Sequence, residues 1–447
     1  MNICVVGTGY VGLVTGTCLA EIGHCVICVD NDKQKIQTLN AGKMPIFEPY
    51  LEKLVHQNRK RGNLSFSEDL GQGARKSEVI FICVGTPPLE NGEADLSPVE
   101  KVTREIAAAA DSYKLVVEKS TVPVQTGEYI YRTLQIYCRE EKGRFDVASN
   151  PEFLREGSAV ADFFHPDRIV IGVNNRQTEA ILHQIYQPIL ERGFSCPVHS
   201  SCSSFPKPYF LVTDIKSAEL IKHASNSFLA TKISFINAIA EICEKVGADV
   251  EKVAEGMGLD PRIGKEFLKA GLGFGGFCFP KDLQAFVRIA EKVGYDFTLM
   301  KEVERINKAR IDVAVEKLRK KLWVLREKTI AFLGLAFKPQ TDDIRFAPAI
   351  GLIRRLRQEG CNIRAFDPQA MEKAVSEIPE IFYGANPYEV AAGAEALVLA
   401  TEWPEFLDLD WVKVHRAMAR PFILDGRNFL NRPLLMEVGF EYEGMGR

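Results

Sequence analysis

The residues best suited to chemistry lie in the stretch 265–282, which reads KEFLKAGLGFGGFCFPKD. It contains four glycines, Gly271, Gly273, Gly275 and Gly276. Because glycine lets a backbone approach a ligand closely and adopt positive φ, this density predicts a loop wrapped over a small molecule rather than a helix. Cys278 follows the glycines, and the nearby Lys281 favours the thiolate, the nucleophilic form of cysteine. The pattern predicts a cysteine nucleophile held against a ligand; a tight turn with a buried, inert cysteine is the alternative.

A second set of residues that could take part in chemistry lies at the start of the chain. The run N-I-C-V-V-G leads into G-T-G-Y-V-G, whose glycines are Gly7, Gly9 and Gly12. A helical pattern then runs to about Gly23, and a second strand over 25–29 ends at Asp30. This order is typical of a dinucleotide site, in which the turn holds the pyrophosphate and the acid accepts hydrogen bonds from the ribose. Asp30 favours NAD over NADP, although Lys35 stands nearby, and a tight βα turn without a ligand is the alternative.

Two threonines follow further predicted strands. The runs 79–84 and 115–117 end in G-T-P-P and E-K-S-T-V-P, so Thr86 and Thr121 come just after the carboxyl ends of strands. Ligands of open α/β sheets bind at that edge. A turn or a helix cap is the commoner role for such a threonine.

Carboxylates and a lysine come next. In V-A-S-N-P-E-F-L-R-E-G, Glu152 and Glu156 share a face if a helix starts at Pro151, but a helix start also favours acids through its dipole. Lys222 and Asn226 are one turn apart on a long helix predicted from about 214 to 246. A lysine there is either extended to solvent from the edge of an apolar face or buried for a purpose.

Composition limits the class of protein. The 447 residues suggest two or three domains, and 46% hydrophobic with 26% charged residues is ordinary for a soluble globular protein. A net charge of -3 offers no electrostatic case for nucleic acid or an anionic membrane. With no apolar run of membrane-spanning length and no targeting segment at the start, we expect a cytoplasmic protein.

The eleven cysteines are scattered, which predicts reduced thiols. Cys25 and Cys28 lie in a strand-like run and point to opposite faces, which argues against a redox pair. Cys196, His199 and Cys202 are of metal-ligand type, but they are irregularly spaced and have no clear fourth partner. We therefore predict no metal site.

The order of elements predicts a doubled architecture. Residues 200–213 resemble a linker, a short helix is expected over 250–257, and helix is expected again after the glycine–cysteine stretch to about 325. From 328 the pattern restarts, because T-I-A-F-L-G ends at Gly334 and C-N-I-R-A-F-D ends at Asp367.

The predicted fold class is α/β, with two Rossmann-like doubly wound domains joined by a long central helix. We expect an NAD-binding domain at 1–200, a central helical domain with the glycine–cysteine loop at 201–325, and a second Rossmann-like domain at 326–447. The second doubly wound unit lacks the glycine fingerprint and offers Lys338 and Arg345, which suit a phosphorylated ligand. Two surface cations on a loop are the alternative.

With these motifs the chain resembles the nucleotide-sugar dehydrogenases, and most of all their UDP-glucose branch, over essentially its full length. The shared motifs are GTGYVG, STVP, NPEFLREG, the helix with Lys222 and Asn226, FGGFCFPKD, GLAFKPQTDDIR, TEWPEF and DGR. One departure is Phe277, where we expect a small serine, and this change is expected to narrow the sugar pocket.

The resemblance implies a four-electron oxidation of UDP-glucose to UDP-glucuronate with two NAD+, through a thiohemiacetal and a thioester on Cys278. It assigns Lys222 to the developing alkoxide and Glu152 to general-base hydrolysis. Asn226, Asp282 and Thr121 would hold the water and the oxyanion. Family members that act on UDP-N-acetylhexosamines or GDP-mannose are the alternative.

The resemblance also implies that the domain at 326–447 binds the UDP-sugar and that the central domain at 201–325 forms a homodimer, in which Arg262 serves the neighbouring subunit. The expected NAD-binding residues are Gly7, Gly9, Tyr10, Val11, Gly12, Asp30, Lys35, Thr86, Thr121, Glu156, Cys278, Lys281 and Arg345. The expected substrate-binding residues are Glu152, Phe153, Leu154, Arg155, Glu156, Lys222, Asn226, Arg262, Phe267, Lys269, Gly271, Gly273, Phe274, Gly275, Phe337, Lys338 and Arg427.

Two functions of other kinds are alternatives to a sugar-nucleotide dehydrogenase. A two-electron 3-hydroxyacid dehydrogenase would need neither Cys278 nor a second Rossmann unit. An NAD-sensing regulatory protein would explain the glycine fingerprint but would leave the glycine–cysteine stretch without a role. Both explain less of the sequence than the sugar-nucleotide dehydrogenase does.

Overall fold

The computed structural model describes residues 1–138, 144–202 and 205–447. The chain divides into two compact units. Unit 1 is Met1–Ser225 with Gln284–Ile289, and unit 2 is Asn226–Leu283 with Ala290–Arg447.

Unit 1 is a doubly wound α/β unit. Its strands are β1 (Asn2–Val6), β2 (Cys25–Val29), β3 (Leu64–Ser67), β4 (Val79–Ile82), β5 (Lys114–Glu118), β6 (Phe145–Ser149), β7 (Arg168–Gly172) and β8 (Tyr209–Thr213). Its helices are α1 (Tyr10–Glu21), α2 (Lys33–Asn40), α3 (Leu51–Arg61), α4 (Leu70–Lys76), α5 (Ser97–Ala109), α6 (Thr126–Tyr137), α7 (Ala159–Phe164), α8 (Arg176–Glu191) and the first part of α9 (Ile215–Val246).

Within the described residues, the strands of unit 1 form one sheet in the order β3-β2-β1-β4-β5-β6-β7-β8. All neighbours pair in parallel except β6 and β7. The first six strands have the Rossmann order, which reverses between β1 and β4. Alternate residues of β1 enter different apolar clusters, with Ile3 and Val5 in one and Cys4 and Val6 in the other. The sheet is therefore covered on both faces, as a parallel sheet requires.

Unit 2 contains the rest of α9 and a second sheet. Its further helices are α10 (Val250–Gly258), α12 (Thr298–Leu322), α13 (Pro348–Gln358), α14 (Met371–Glu377), α15 (Pro387–Ala391), α16 (Trp411–Ala417) and α17 (Arg432–Val438), with a short 3₁₀ helix at Pro404–Phe406. Unit 2 also contains both ends of α11 (Cys278–Lys292), whose middle residues Gln284–Ile289 belong to unit 1. Its strands are β9 (Thr329–Leu333), β10 (Asn362–Phe366), β11 (Phe382–Tyr383), β12 (Ala396–Leu399), β13 (Phe422–Asp425) and β14 (Glu441–Glu443).

The second sheet repeats the order of the first. Its described strands run β11-β10-β9-β12-β13-β14, all in parallel. The strand that restarts the pattern, β9, occupies the central place that β1 has in unit 1. The predicted fold class, two Rossmann-like units and a long central helix, is confirmed. The bounds of the three predicted domains stay a prediction.

Two local expectations were wrong, and the condition under which Glu152 and Glu156 would share a helical face is not met. The expected linker over 200–213 contains β8, whose Y-F-L-V-T run pairs with β7 at the edge of the sheet. No helix starts at Pro151, because the segment 151–155 is irregular and α7 begins only at Ala159. The helix expected up to about 325 is two helices, α11 and α12, separated by a turn at Gly294.

In the described part of the chain, no helix combines the length and the apolar character that crossing a lipid bilayer requires.

Candidate active site

The glycine turn of unit 1 has the geometry of a dinucleotide site. Gly7 has a φ of 100°, which permits the sharp exit from β1. A β-carbon at Gly12 would overlap the carbonyl oxygen of Gly7, so only glycine lets α1 pack this closely on the turn. Gly9 has open space where a β-carbon would stand. Tyr10 and Val11 begin α1, whose N-terminus faces this turn and can hold an anion through its N–H groups.

Asp30 lies at the end of β2 and is held in place by its neighbours. Its Oδ2 accepts hydrogen bonds from the Thr8 backbone N–H at 2.7 Å and the Thr8 hydroxyl at 2.8 Å, and Oδ1 accepts one from Asp32 N–H at 2.9 Å. Burial alone would raise the Asp30 pKa, but these hydrogen bonds and Lys35 hold the pKa below its ordinary value. Lys35 Nζ stands 3.9 Å from Asp30 Oδ2. The carboxylate is therefore charged and oriented, with lone pairs left for ribose hydroxyls.

The two predicted threonines belong to neighbouring loops at one edge of the sheet. Thr86 follows β4, is buried, and donates its hydroxyl to the Thr121 carbonyl oxygen at 2.8 Å. Thr121 follows β5, which pairs with β4. The structure thus joins the loops G-T-P-P and S-T-V-P directly, as expected for the carboxyl ends of parallel strands.

Glu152 and Lys222 form a buried ion pair. Lys222 Nζ donates to Glu152 Oε1 at 2.9 Å, and Oε2 accepts the Leu154 N–H at 2.7 Å. The two residues are each 4% exposed. Lys222 is therefore buried with an acidic partner rather than extended to solvent. Because no helix starts at Pro151, Glu152 and Glu156 are not paired on a helical face.

Sequence reasoning missed two residues of α9 that hold the S-T-V-P loop. The carboxylate of Glu219 accepts hydrogen bonds from Gln125 N–H and Gly127 N–H, both at 2.7 Å. His223 Nε2 contacts the Val122 carbonyl oxygen at 2.9 Å and is therefore the donor nitrogen. Together with Lys222, these side chains make one face of α9 the support for the loops after β5 and β6. Their partners are distant in the sequence, so no local pattern signals them.

Two more buried residues that the sequence did not indicate fix the N-P-E-F-L-R-E-G segment. Lys119 Nζ lies 3.1 Å from Asn150 Oδ1, and burial lowers the Lys119 pKa. Glu48 accepts hydrogen bonds from Gly157 N–H at 2.7 Å and Ala159 N–H at 2.8 Å. These bonds attach both ends of the segment to the rest of unit 1.

The predicted substrate residues within that segment have different environments. The Phe153 ring lies 5.5 Å from Lys222 Nζ and 4.1 Å from the Arg168 guanidinium carbon. Leu154 packs against the main core of unit 1. Arg155 is exposed and forms a two-pronged ion pair with Asp162. Their roles in binding stay predictions, as does that of the half-buried Glu156.

In unit 2, Cys278 is the first residue of α11 and is half-buried. The sequence had placed it in a loop. A helix N-terminus carries a partial positive charge, which lowers the pKa of a thiol placed there. The position of Cys278 at the start of the helix therefore favours the thiolate. The sequence pattern had indicated Lys281 as the group that favours it. The missed signal was F-P-K-D, because proline is well tolerated in the first helical turn.

Lys281 forms an ion pair with the next residue, Asp282. Its Nζ lies 2.6 Å from Asp282 Oδ1, and the Asn226 side-chain amide donates to Asp282 Oδ2 at 2.6 Å. All three side chains are buried. The structure therefore brings Asn226 and Asp282 together, as their expected shared role requires, and adds Lys281 to them.

The glycine loop is held by unit 2 itself. Gly271 N–H donates to Asn237 Oδ1 at 2.8 Å, and the Gly271 carbonyl accepts from Arg310 Nε at 3.1 Å. Asn307 exchanges two hydrogen bonds with the Phe274 backbone, at 2.8 and 3.0 Å. A β-carbon at Gly275 would overlap the Phe346 carbonyl oxygen. Close packing of the chain against itself is thus one reason for glycine here, besides the expected approach to a ligand.

Phe277, the departure from the family pattern, lies beside two cations. Its ring centroid is 4.4 Å from the Arg345 guanidinium carbon and 5.7 Å from Lys281 Nζ. Arg345 in turn forms a two-pronged ion pair with Asp343. A phenylalanine here therefore binds cations as well as filling space.

Arg427 connects three backbone segments. Its guanidinium donates to the carbonyl oxygens of Ala400 at 2.8 Å, Gly273 at 3.1 Å and Phe337 at 3.2 Å. This geometry makes Arg427 a positioning residue for the glycine loop. Lys338 Nζ lies 5.3 Å from the Phe337 ring.

The remaining predicted substrate residues lie around the entry to the loop. Phe267 is half-buried with a φ of 64°, and Lys269 is exposed. The Arg262 side chain is 87% exposed and pairs with Asp260. Contact of any of these residues with a substrate stays a prediction.

A sheet in the Rossmann order with a glycine turn and an oriented acid defines a dinucleotide-binding protein. Residues 1–190 match the UDP-glucose/GDP-mannose dehydrogenase family, NAD binding domain; residues 216–309 match its central domain and 331–432 its UDP binding domain. The chain belongs to this family and is an NAD-dependent dehydrogenase. The resemblance drawn from the motifs is confirmed.

Full-length relatives agree with this assignment. The chain is 45% identical over 449 residues to the UDP-glucose 6-dehydrogenase TuaD of Bacillus subtilis (strain 168), covering 100% of this chain and 93% of that one. A UDP-glucose dehydrogenase structure from Pyrobaculum islandicum has a TM-score of 0.89 at 38% identity, with 99% and 97% coverage. A UDP-D-ManNAc dehydrogenase structure from Pyrococcus horikoshii has a TM-score of 0.85 at 29% identity, with 100% and 99% coverage.

Proposed function

We propose that this protein oxidises UDP-glucose to UDP-glucuronate in two NAD-dependent steps, with Cys278 as the covalent nucleophile. The observation that carries the proposal is the position of Cys278 at the N-terminus of α11, directly after the glycine loop. A two-electron dehydrogenase has no use for an activated thiol there. The relatives named for UDP-glucose are more similar in sequence than the one named for UDP-D-ManNAc, which supports glucose as the sugar.

The turn of unit 1 fits NAD. Open space beside Gly9, the N-terminus of α1 and the charged Asp30 suit a pyrophosphate and a ribose. When bound, NAD supplies the acceptor for each of the two hydrides. Comparable catalytic efficiency with NADP+ would contradict the role assigned to Asp30.

Lys222 is assigned to the sugar hydroxyl. Its ammonium group stabilises the alkoxide that develops as the hydroxyl proton is lost. The ion pair with Glu152 holds Nζ in one place, since Glu152 is itself fixed by the Leu154 N–H. The charge is therefore oriented before reaction rather than during it.

Loss of the first hydride to NAD+ would leave an aldehyde, which Cys278 then retains. Addition of its thiol forms a carbon–sulfur bond, and the thiol proton passes to the aldehyde oxygen. Loss of the second hydride and of that hydroxyl proton converts the thiohemiacetal to a thioester. Water then replaces sulfur at the acyl carbon, which gives the carboxylic acid and restores the thiol. Asn226 and Asp282 are assigned to the oxyanion and water, as is Thr121.

Glu152 is assigned as the general base of hydrolysis. Each carboxylate oxygen has more than one lone pair, so Glu152 can accept a water proton while it keeps its bonds to Lys222 and Leu154. For the nucleotide, Lys338 and Lys269 offer cationic side chains to the diphosphate.

Two further expectations are part of the proposal, a homodimer and a cytoplasmic location. Helix α9 carries an exposed apolar stripe at a seven-residue spacing, formed by Phe228, Phe235 and Ile242, which are 66%, 49% and 54% exposed. Such a stripe suits packing against the same helix of a second copy. In the described part of the chain, where all eleven cysteines lie, no disulfide forms, which accords with a reducing compartment.

Limiting UDP-glucose incubated with excess NAD+ tests the proposal. Complete conversion is expected to yield about two NADH per sugar and an acid product. A ratio near one with free aldehyde would point to a two-electron dehydrogenase. Parallel reactions with UDP-N-acetylglucosamine and GDP-mannose test the sugar, and a higher kcat/KM for either would overturn UDP-glucose as the substrate.

A further inference from the structure

A cluster of four metal-type ligands lies in unit 1. It consists of His165, Cys196, His199 and Cys202, whose ligand atoms all lie within 4.8 Å of one another. The sequence indicates the last three as metal-type ligands but no clear fourth. The fourth, His165, follows α7 and is 31 residues before Cys196.

The separations within the cluster suit a small tetrahedral ion. His165 Nε2 is 3.1 Å from Cys196 Sγ and 3.2 Å from Cys202 Sγ, and His199 Nδ1 is 3.7 Å from Cys196 Sγ. A tetrahedral centre with Zn–S of about 2.3 Å and Zn–N of about 2.0–2.1 Å places sulfur and nitrogen about 3.6 Å apart. Two of the observed sulfur–nitrogen distances are shorter than this value and the third is close to it. Small movements would therefore let the four ligand atoms coordinate one ion.

From this geometry we propose that His165, Cys196, His199 and Cys202 bind one zinc ion in a structural site. Two thiolates and two imidazoles are a ligand set that selects Zn²⁺, and four protein ligands close the coordination sphere. Binding replaces the two thiol protons with the metal and releases both to solvent, so the two thiolate charges are balanced by the ion.

The surroundings support a built site. His199 N–H lies 3.3 Å from Cys196 Sγ and donates to it, which orients the sulfur. The Phe205 ring stacks on the His165 ring with centroids 4.3 Å apart and an interplanar angle of 18°. Arg192 donates to the Cys202 carbonyl oxygen at 3.0 Å. The ligands are thus positioned by hydrogen bonding and by aromatic packing from three sides.

The site would anchor the segment between α8 and β8 to the end of α7. Three of the four ligands lie in the stretch 192–202, which is described and contains no helix or strand. α7 continues directly from the N-P-E-F-L-R-E-G segment, which contains Glu152. Zinc would therefore stabilise unit 1 and maintain the position of α7, without contact with the reacting atoms.

The first test is the metal content of untagged protein purified without chelators. Elemental analysis is expected to give about one zinc per chain. Metal-free protein reconstituted with Co²⁺ should show the intense visible bands of a tetrahedral cobalt–thiolate site. Protein without zinc that also fails to give this spectrum would overturn the proposal, as would a Cys196–Cys202 disulfide in protein kept under reducing conditions.

Ligand substitutions provide the second test. Cys202→Ser and His165→Asn should each lower the zinc affinity by more than about 100-fold, because loss of a ligand costs more than the 10–100-fold that is typical for loss of a residue behind a ligand. Both substitutions should also remove the dependence of the Tm on zinc. Cys25→Ser and His183→Asn are matched controls, because these residues lie outside the cluster, and both should keep the metal. Equal zinc content in ligand and control variants would contradict the assignment. If a ligand variant does not fold, the cobalt spectrum of the natural protein still decides.

Discussion

Lys222 Nζ lies 2.9 Å from Glu152 Oε1, and the side chains of both residues are shielded from solvent. A buried ion pair of this kind is costly to break, because the remaining charge has no water to stabilise it. The pair also joins the two groups assigned to different halves of the reaction, alkoxide stabilisation and hydrolysis. Single substitutions at the two positions should therefore have different kinetic signatures.

Glu152→Gln should leave both oxidations possible and slow the hydrolysis, because an amide cannot take a proton from water. Loss of a general base typically costs about 10²–10⁴-fold in rate. A burst of NADH followed by slow turnover is expected, and protein mass should rise by a sugar-nucleotide acyl group on Cys278. A folded variant that binds UDP-glucose but shows neither burst nor adduct would remove Glu152 from the role of base.

Lys222→Ala should slow the first hydride transfer itself. The alkoxide loses its cation, and removal of a group that stabilises developing charge typically costs about 10²–10³-fold. Little adduct should accumulate, in contrast to Glu152→Gln. Single-turnover absorbance of NADH measures the step directly, and a normal first turnover would contradict the assignment.

Cys278→Ser should abolish formation of the acid while binding of UDP-glucose survives. The hydroxyl is a poor nucleophile in this position and a far worse leaving group than sulfur. Isothermal calorimetry measures whether UDP-glucose still binds, and product analysis measures whether the acid is formed. Cys138→Ser is a suitable control thiol, and acid formation by the Cys278 variant at the normal rate would refute covalent catalysis.

Glu219 should make stability depend on pH. Burial raises its pKa to about 7, although the N–H groups of Gly127 and Gln125 act to lower it. The native state therefore holds a proton that the unfolded chain has lost, and the free energy of unfolding should fall as pH rises between about 4.5 and 7. Chemical unfolding across this range should show the slope in the natural protein and lose much of it in Glu219→Gln. The exposed Glu52→Gln is the control, and an unchanged slope in Glu219→Gln would contradict the argument.

Phe277→Ser restores the residue expected from the family. Loss of the ring removes its contact with Arg345, which at such a site is worth about 0.5–1 kcal/mol. We expect a small decrease in Tm and a larger relative kcat/KM for UDP-sugars with bulkier hexoses, since space opens beside Cys278. Kinetics with UDP-glucose and UDP-N-acetylglucosamine measure the ratio, and an unchanged ratio would show that Phe277 does not limit the sugar.

Much of the fold could be predicted because its signals are local. The turn from β1 to Asp30 and its repeat around β9 depend on glycines, apolar runs and acids within short windows. Glu48, Glu219 and His223 could not be predicted, because each forms hydrogen bonds with backbone groups that are distant in the sequence. From the sequence alone they cannot be distinguished from other buried polar residues. His165 could not be predicted either, because the two cysteines that it contacts, Cys196 and Cys202, are also distant in the sequence. β8 was missed because an edge strand is short and half exposed, and serines and prolines precede it.

The bonds that hold the glycine loop have a thermodynamic consequence. Asn237, Asn307 and Arg310 fix its backbone from within unit 2, so the loop is already ordered by the folding of that unit. Ordering a flexible segment during association subtracts from affinity. Here that entropy loss belongs to folding, so a ligand that binds against this loop, as proposed for the nucleotide sugar, would not lose affinity to the ordering of the loop.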